Sequence, residues 1–586
     1  MIKRLFDIPD YQNSNFPKQD SLCGKLNGNW KCHSTSEFIS LSQKLSAGLM
    51  SLGLRKDDKA TIISANRPEW NIADMGMMQI GVVNVPVYTT LSEKDLIFIL
   101  NDCQAKILFA GDKLLYEKIS KIKSDIPSLT DIFTFDQIAG AQHWTDLLKD
   151  FSGDEQKRFE SIRDSILPGD LATILYTSGT TGQPKGVMLS HNNIVSNVLA
   201  SKDLCPVDER HKALSFLPLC HSYERMLTYL YMYRGVSIYY AESMEKIADN
   251  LKEIKPEVFS TVPRLLEKVY DKIVEKGKDL TGLKKILFFW ALNLGLRYEL
   301  NKRNGFWYEF QLGLANKIIF SKWREALGSK VKVIVSGGAA LQPRLARVFW
   351  AAKIHVLEGY GLTETSPVVC VNNLEPNGTK FGTVGPPISG VEVKIAEDGE
   401  ILCKGPNIML GYYKRPDLTE QVIKDGWFHT GDIGIIEENR FLKITDRKKE
   451  IFKTSGGKFI APQALENKFK ESIFIEQIMV IGENQKFPAA LVVPSFAQLK
   501  RWCEESGLDT SSNETMISHS EVVSLFRKEI EKLNESFGRT EQVKKIRLLP
   551  REWTIDSGEL TATLKLKRKV IAENNSALIS SIYDQS

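Results

Sequence analysis

The sequence predicts an α/β fold in which parallel sheets are covered by helices, followed by a strand-rich section and a small α+β unit. Three observations lead there. Between residues 35 and 150, helical and strand-like patterns alternate, which is the signature of a parallel sheet packed on both faces. From 380 to 445 the texture changes to short strands broken by Gly, Pro and Asp, as expected of a small barrel or folded sheet. Past the charged break Asp446-Arg-Lys-Lys449, residues 450 to 586 again alternate strand and helix, enough for a separate small α+β domain.

In chain order, Ser36 to Leu54 carries Phe38, Leu41, Leu45, Leu49 and Leu52 close to helical spacing and ends in Gly53. Ala60 to Ser64 reads as a strand, Trp70 to Ile80 as a helix, and Val82 to Tyr88 and Ile107 to Ala110 as strands. Leu171 to Tyr176 is a buried strand, Gly186 to Leu189 another, and Ser190 can cap a helix reaching about Ala200. Strand-like runs follow at Leu214–Leu217, Val236–Tyr240, Val258–Val262, Val331–Val335 and Ile354–Leu357. Leu283 to Leu327 is a long helical stretch with many aromatics and interleaved Lys and Arg. Core packing accounts for such a stripe by default, and a surface resting on a membrane is the sharper alternative.

Bulk properties narrow the class. At roughly 150 residues per domain, 586 residues make about four structural units. A net charge of +5 on a chain this long gives no reason to expect a nucleic-acid partner. The eight cysteines form no C-x-x-C pair, so neither a zinc site nor a disulfide framework follows, and reduced thiols in a cytoplasm are expected. No apolar window approaches the ~20 residues of a membrane span, so the expectation is a soluble protein, at most peripheral on a membrane.

The chemistry centres on Tyr176-Thr-Ser-Gly-Thr-Thr-Gly-Gln-Pro-Lys-Gly186. Gly179 and Gly182 can take backbone conformations closed to other residues, so successive N–H groups can form an anion cradle. Thr177, Ser178, Thr180 and Thr181 add hydroxyl donors and Lys185 a point charge, which suits polyphosphate. A Walker loop needs Gly before its lysine and Ser or Thr after it; Pro184 and Gly186 stand there instead. The stretch resembles the phosphate loop of the AMP-forming adenylate superfamily, which includes acyl-CoA synthetases, luciferases and peptide-synthetase adenylation domains.

The remaining motifs occur in that family's order, over roughly 35 to 575. Gly359-Tyr-Gly-Leu-Thr-Glu364 nearly copies a dinucleotide fingerprint, but Glu364 stands where the third glycine belongs. The resemblance implies that Tyr360, beside Gly361, stacks on adenine and that Thr363 contacts the α-phosphate. Glu364 would hold Mg²⁺ with a hydroxyl such as Thr177, in keeping with that ion's taste for hard oxygen. Gly337-Gly338-Ala339 would pack along the adenine edge. In Trp427-Phe-His-Thr-Gly-Asp432, Asp432 would accept both ribose hydroxyls, with Arg447 adding a ribose or phosphate contact. Asp446 would be a hinge, and Gly456-Gly457 would let the pantetheine arm of a thiol pass. Lys565, in Leu560-Thr-Ala-Thr-Leu-Lys-Leu-Lys-Arg568, matches the catalytic lysine; Ala562 replaces a proline common there. Thr-Leu before Lys565, and Pro218-Leu-Cys-His-Ser-Tyr-Glu-Arg225, resemble the long-chain fatty acid–CoA ligase branch. His221 would then be a wall of the acyl site, and Tyr223 and Arg225 the mouth of the acyl tunnel. The charge of Lys448 fits CoA phosphates and would equally suit an acidic carrier protein.

The resemblance thus implies a large N-terminal domain, 1–445, of two parallel-sheet subdomains plus a small β-barrel. A hinge joins it to a mobile α+β C-terminal domain, 446–586. It implies ATP-dependent conversion of a fatty acid to acyl-AMP with release of pyrophosphate, then thioester formation with CoA. ATP, Mg²⁺ and CoA are the cofactors and co-substrates, and the resemblance leaves room for membrane contact and a homodimer. The alternatives are transfer to an acyl-carrier protein and a non-catalytic acyl- or AMP-binding protein.

Overall fold

The computed structural model describes residues 2–177, 183–561 and 565–584. Packing divides the chain into two units: 1–394, 402–429 and 438–442 form one, and 395–401, 430–437 and 443–586 the other.

The first unit is built on two eight-stranded sheets. One runs in the order Val368–Val371, His355–Gly361, Val333–Ser336, Val258–Thr261, Lys212–Ser215, Ser237–Tyr240, Leu22–Leu26, Asn29–His33, antiparallel only at its two edge pairs. The other runs Gly411–Tyr412, Lys185–Ser190, Leu171–Thr177, Val83–Asn84, Lys59–Ile63, Ala105–Ala110, Asp131–Thr134, Gln142–His143. It is parallel from Leu171–Thr177 onward and antiparallel at Lys185–Ser190 and Gly411–Tyr412. Strands with helices between them thus form parallel sheets, as the alternation predicts.

Two helices between the sheets, Pro68–Met78 and Ser222–Tyr233, are buried almost all round. Neighbouring residues of the second helix reach opposite sheets. Glu224 accepts from the hydroxyls of Ser215 and Ser260 on the first sheet. Arg225 donates to Thr173 Oγ1 on the second at 2.7 Å. At about 100° per residue, two adjacent helical side chains can do this only if the helix lies between both sheets.

Local signals account for most boundaries. The helix Thr35–Ser51 starts on a capping box, with Ser34 and Glu37 satisfying each other's backbone N–H. Ser190 caps His191–Ser201 in the same way through Asn193. Val82 to Tyr88 pairs continuously only at Val83–Asn84, because Pro86 has no N–H to offer a central strand. The aromatic stretch breaks into Gly282–Leu296, Phe306–Ala315, a π-turn at Asn316–Phe320 and Ser321–Ala326.

The expectation of reduced thiols fails at one pair. Cys23 and Cys32 form a disulfide, their Cα atoms 4.0 Å apart, while the other six cysteines are free and buried. The two face each other across the hairpin Leu22–Leu26/Asn29–His33, whose turn is Asn27-Gly28 with both residues at positive φ. An Asn-Gly turn between two apolar-leaning runs is a strong hairpin signal and was the available clue to this pairing.

Residues 392 to 447 contribute a five-stranded sheet in the order Glu392–Ile395, Glu400–Lys404, Trp427–Glu437, Ile423–Lys424, with Phe441–Arg447 also paired to Trp427–Glu437. This is the folded-sheet form of the strand-rich expectation. The second unit holds a three-stranded sheet, Ile475–Ile481, Ala489–Pro494 and Lys545–Leu548, with helices such as Pro462–Phe469 and Ser520–Asn534 around its own cores.

Candidate active site

In the first unit, the two strands on either side of the phosphate stretch, Leu171–Thr177 and Lys185–Ser190, pair antiparallel. Thr177 faces Lys185 and Tyr176 faces Gly186 across them. Ser178, Gly179, Thr180, Thr181 and Gly182 lie outside the described residues. The Lys185 ammonium sits 5.2 Å from the centre of the Tyr412 ring, and Gly411–Tyr412 pairs with the same strand at Met188 and Val187. Tyr412 Oη in turn donates to Glu364 Oε1 at 2.8 Å. The backbone secures this link, because Met409 N–H donates to the Glu364 carbonyl and Asn407 Nδ2 to that of Thr365, each at 2.9 Å. Lys185 and Glu364, far apart in sequence, are thereby joined through one phenol. Sequence reasoning missed Tyr412, since nothing local marks a short edge strand that pairs so far back along the chain.

The first sheet supplies the other wall. Tyr360 and Gly361 end the strand His355–Gly361, and Thr363 and Glu364 lie in the tight turn after it. Any side chain at Gly361 would place its Cβ 1.8 Å from the Pro367 carbonyl oxygen, so only glycine fits. Beside this strand, Val333–Ser336 opens into Gly337, Gly338 and Ala339, with Gly338 at φ +82°. A Cβ on Gly337 would lie 3.3 Å from Tyr223 Cζ, so the Tyr223 ring rests against bare backbone. The hydroxyls of Tyr223 and Ser336 are both buried without a hydrogen-bond partner. Orphaned hydroxyls at the carboxyl ends of parallel strands, where the chain order switches sides around Lys212–Ser215, mark where a ligand belongs.

Glu358 ties the two loops together, accepting from Leu341 N–H at 2.9 Å. Burial pushes its carboxyl up to about 8, against the lowering effect of that hydrogen bond. From the ordinary value near 4.5 up to about 8, the folded protein keeps a proton that the unfolded chain has released, so stability falls as pH rises through that window. Glu358→Gln is expected to flatten this slope in denaturant midpoints measured across it. An unchanged slope would show that Glu358 is ionised in the fold. Glu224, pushed up to about 7 by burial, adds to the slope over the lower part of the window.

The upstream motif corrects one expectation. His221 caps the helix Ser222–Tyr233, its Nδ1 accepting from Tyr223 N–H at 3.2 Å. Tyr223 faces Gly337 as described. Arg225, however, is not at any opening: it is 1 % exposed and paired with Asp74, 0 % exposed, at 2.5 Å. It also donates to Tyr229 Oη and lies 5.3 Å over the Trp70 ring. A charge in that position must be paired, and each of its three nitrogens donates to a buried partner: Tyr229, Thr173 and Asp74.

In the second unit, Asp432 is buried and accepts from Arg447 Nε at 2.8 Å. Its N–H donates to Thr430 Oγ1, and Gly431, at φ +72°, donates to Glu400 Oε1. The buried Asp446 accepts from the N–H groups of Arg447 and Gln463. Burial nevertheless pushes its carboxyl up to about 6. Lys448 contradicts its expected role: Asp398 and Glu400 hold its ammonium at 2.6 and 2.8 Å, which raises its pKa and occupies its charge. Gly456 and Gly457 form the turn between Phe452–Lys453 and Phe459–Ile460; Gly457 is at φ +79°, and a Cβ on Gly456 would meet nothing within 4 Å. Lys565 is exposed at the base of a small loop, its N–H donating to Thr561 Oγ1 at 3.0 Å and its carbonyl accepting from Thr561 N–H. Arg568, three residues on, is anchored to Glu450 and Glu466.

Among the described residues no group of three His, Cys, Asp or Glu could hold a metal alone. One carboxylate, Glu364, with a hydroxyl such as Thr177, fits a Mg²⁺ that takes its other ligands from nucleotide phosphates and water.

Comparison with known proteins gives the family and the fold. Residues 10–413 match the family model described as AMP-binding enzyme, and 449–586 that of the AMP-binding enzyme C-terminal domain. The chain is 32 % identical to long-chain-fatty-acid–CoA ligase FadD15 of Mycobacterium tuberculosis, over 96 % of this chain and 94 % of that one. It is 34 % identical to long-chain-fatty-acid–CoA ligase 5 of Rattus norvegicus, over 96 % and 85 %. The fold resembles the anthranilate CoA ligase AuaEII in complex with anthranoyl-AMP, with a TM-score of 0.73 at 17 % identity, covering 97 % of both chains. It also resembles a Mycobacterium tuberculosis fatty acyl CoA synthetase, with a TM-score of 0.61 at 20 % identity, over 98 % of this chain and 99 % of that one. The chain belongs to the family of AMP-binding enzymes.

Proposed function

We propose that this enzyme is a long-chain fatty acid–CoA ligase that forms acyl-AMP and then acyl-CoA. The observation that carries the reading is the joining of Lys185, Tyr412 and Glu364 beside the Tyr360 strand and the bare Gly337–Gly338 backbone. This arrangement brings a cation and a carboxylate together beside the carboxyl ends of the first sheet's parallel strands. The full-length similarity to long-chain fatty acid–CoA ligases favours fatty acid and CoA over an acyl-carrier protein as acceptor, and over a non-catalytic binder.

In the first step a carboxylate oxygen of the acid attacks the α-phosphorus of ATP. The bond to the bridging β-phosphate oxygen breaks and pyrophosphate leaves. In the second, the CoA sulfur attacks the acyl carbon, the bond to AMP breaks, and the thiol proton is lost to solvent. Lys185, Thr177 and the stretch between them hold phosphates, Tyr360 stacks on adenine, Thr363 meets the α-phosphate, and Asp432 with Arg447 holds ribose. When bound, Mg²⁺ would neutralise phosphate charge, and Glu364 with a hydroxyl such as Thr177 would hold it. Lys565 serves adenylation. The turn at Gly456-Gly457 serves thiolysis, with 446 as the hinge that exchanges the two. Lys448 is left out of CoA binding because its charge is already neutralised.

Tyr223 and His221 line the acyl site in this reading, and the unpartnered Tyr223 hydroxyl is available to a carboxylate. Tyr412→Phe removes the hydrogen bond that orients Glu364. It is expected to raise the Mg²⁺ needed for half-maximal adenylation by about tenfold, since a hydrogen bond to a charged group contributes about 1.5–3 kcal/mol. An unchanged Mg²⁺ requirement would show that the Tyr412 hydrogen bond does not orient a metal ligand. The reading as a whole is tested by measuring AMP and thioester across acids from acetate to oleate, with CoA or acyl-carrier protein as acceptor. Thioester on CoA, strongest with long chains, is expected; product only on carrier protein would replace it with the alternative.

A further inference from the structure

We propose that the outer face of the paired helices Gly282–Leu296 and Phe306–Ala315 docks the enzyme onto an anionic lipid bilayer. The second helix is apolar on two opposite faces. Leu312 and Ala315 are buried in the core, and Tyr308 Oη and Trp290 Nε1 tie the two helices at Leu294 O and Gln311 Oε1. Phe306, Trp307 and Phe310 point the other way and are 85 %, 68 % and 59 % exposed. Trp307 and Phe310 stack on each other in solvent, their ring centres 5.5 Å apart. The same cross-links make the helices antiparallel, which carries Ile286 and Leu283 alongside Leu314 and Ile318, all four exposed. At 1.5 Å per residue the ridge from Phe306 to Ile318 is about 18 Å long. A continuous exposed apolar surface of this kind marks an interaction site rather than ordinary surface scatter.

Charge identifies the occupant. Residues 282–322 hold seven Lys and Arg against two Glu and no Asp. Lys284, Lys285, Lys302, Arg303 and Lys317 are exposed around the ridge, and no ion pair involves them among the described residues. Of the two acids, Glu299 is paired with Arg347; Glu309 lies half-buried beside Lys302, Phe306 and Phe310 in an open depression of about 510 Å³. Aromatic and aliphatic side chains ringed by unpaired cations fit the boundary between anionic headgroups and acyl chains. A second copy of this chain would set the same cations against themselves, which disfavours a two-fold pairing through this face. No described helix is long and apolar enough to cross a membrane. The proposal rests on the fatty-acid reading only for the reason to visit a bilayer, since that is where long-chain acids partition.

The test is co-sedimentation with vesicles of phosphatidylcholine, with and without phosphatidylglycerol, at low and high salt. Wild type is expected to bind the anionic vesicles, more weakly at high salt or without phosphatidylglycerol. Replacing both Trp307 and Phe310 by Ser should lower the bound fraction about tenfold or more, since two large apolar groups lose their burial. Replacing Lys302 and Arg303 by Glu should abolish only the difference between the two vesicle types. Thermal unfolding and turnover of a soluble short-chain acid should match wild type in both variants. Failure of wild type to bind, or undiminished binding after the Ser replacements, overturns the proposal. So does a wild-type dimer that the Ser replacements dissociate while vesicle binding persists, because the ridge is then a self-association surface. A preparation that binds vesicles but forms no acyl-CoA overturns the fatty-acid reading and leaves the ridge assignment standing.

Discussion

Lys565→Ala is expected to slow acyl-adenylate formation by about a hundred- to a thousandfold, the usual effect of removing one preorganised group that meets developing charge. Thiolysis of supplied acyl-AMP should stay close to wild type. The asymmetry follows from where charge moves. During adenylation, negative charge shifts from the attacking carboxylate through the α-phosphate to departing pyrophosphate, and a single ammonium can bridge both ends. During thiolysis, AMP leaves and pyrophosphate is already gone, so the same ammonium has little to do. Local structure suits the assignment: Lys565 is exposed, its backbone is tied to Thr561, and Arg568 anchors the following helix through Glu450 and Glu466. The side chain is therefore presented from a fixed base. Equal loss in both half-reactions would mean that the substitution damages the unit as a whole, and Lys565→Arg, which keeps the charge, would then fail to restore either.

Arg225→Met is expected to destabilise the first unit by about 3–5 kcal/mol, the cost of stranding one member of a buried ion pair. Asp74 would keep only Asn84 Nδ2, at 2.7 Å, and the Tyr229 hydroxyl as donors, with its carboxylate still fully buried. Adding Asp74→Asn should recover much of the loss, because the uncompensated charge is gone. The readout is the denaturant midpoint of the transition that unfolds this unit, since a chain of two units need not unfold in one step. A shift in preferred acyl length with unchanged stability would contradict the burial of Arg225 and return it to the substrate site.

What was legible in the sequence follows one rule: features made by neighbours in the chain could be read, and features made by distant pairing could not. The two strands around 176–186, the Ser190 cap and the turn after Tyr360 each carry their cause within a few residues. Alternation of helix and strand was enough to give parallel sheets. Tyr412 was invisible because its role depends on an edge strand finding Lys185–Ser190 across more than two hundred residues. Arg225 and Lys448 were misread for a common reason. An arginine or lysine in a motif looks available until the carboxylate that faces it, Asp74 or Asp398 with Glu400, is located by the fold. The aromatic stretch shows the limit of composition: Phe288, Phe320 and Trp323 joined the core while Phe306, Trp307 and Phe310 did not. The division is set by which helix face meets the first sheet's helices, and residue type alone does not encode it.

The central claim, that a fatty carboxylate is activated by attack on the α-phosphorus of ATP, is tested most directly by exchange of labelled pyrophosphate into ATP without CoA. Exchange that requires a long-chain acid and Mg²⁺, with AMP as the nucleotide product once CoA is added, is the predicted result. No acid-dependent exchange, with ADP and inorganic phosphate as products, would contradict it.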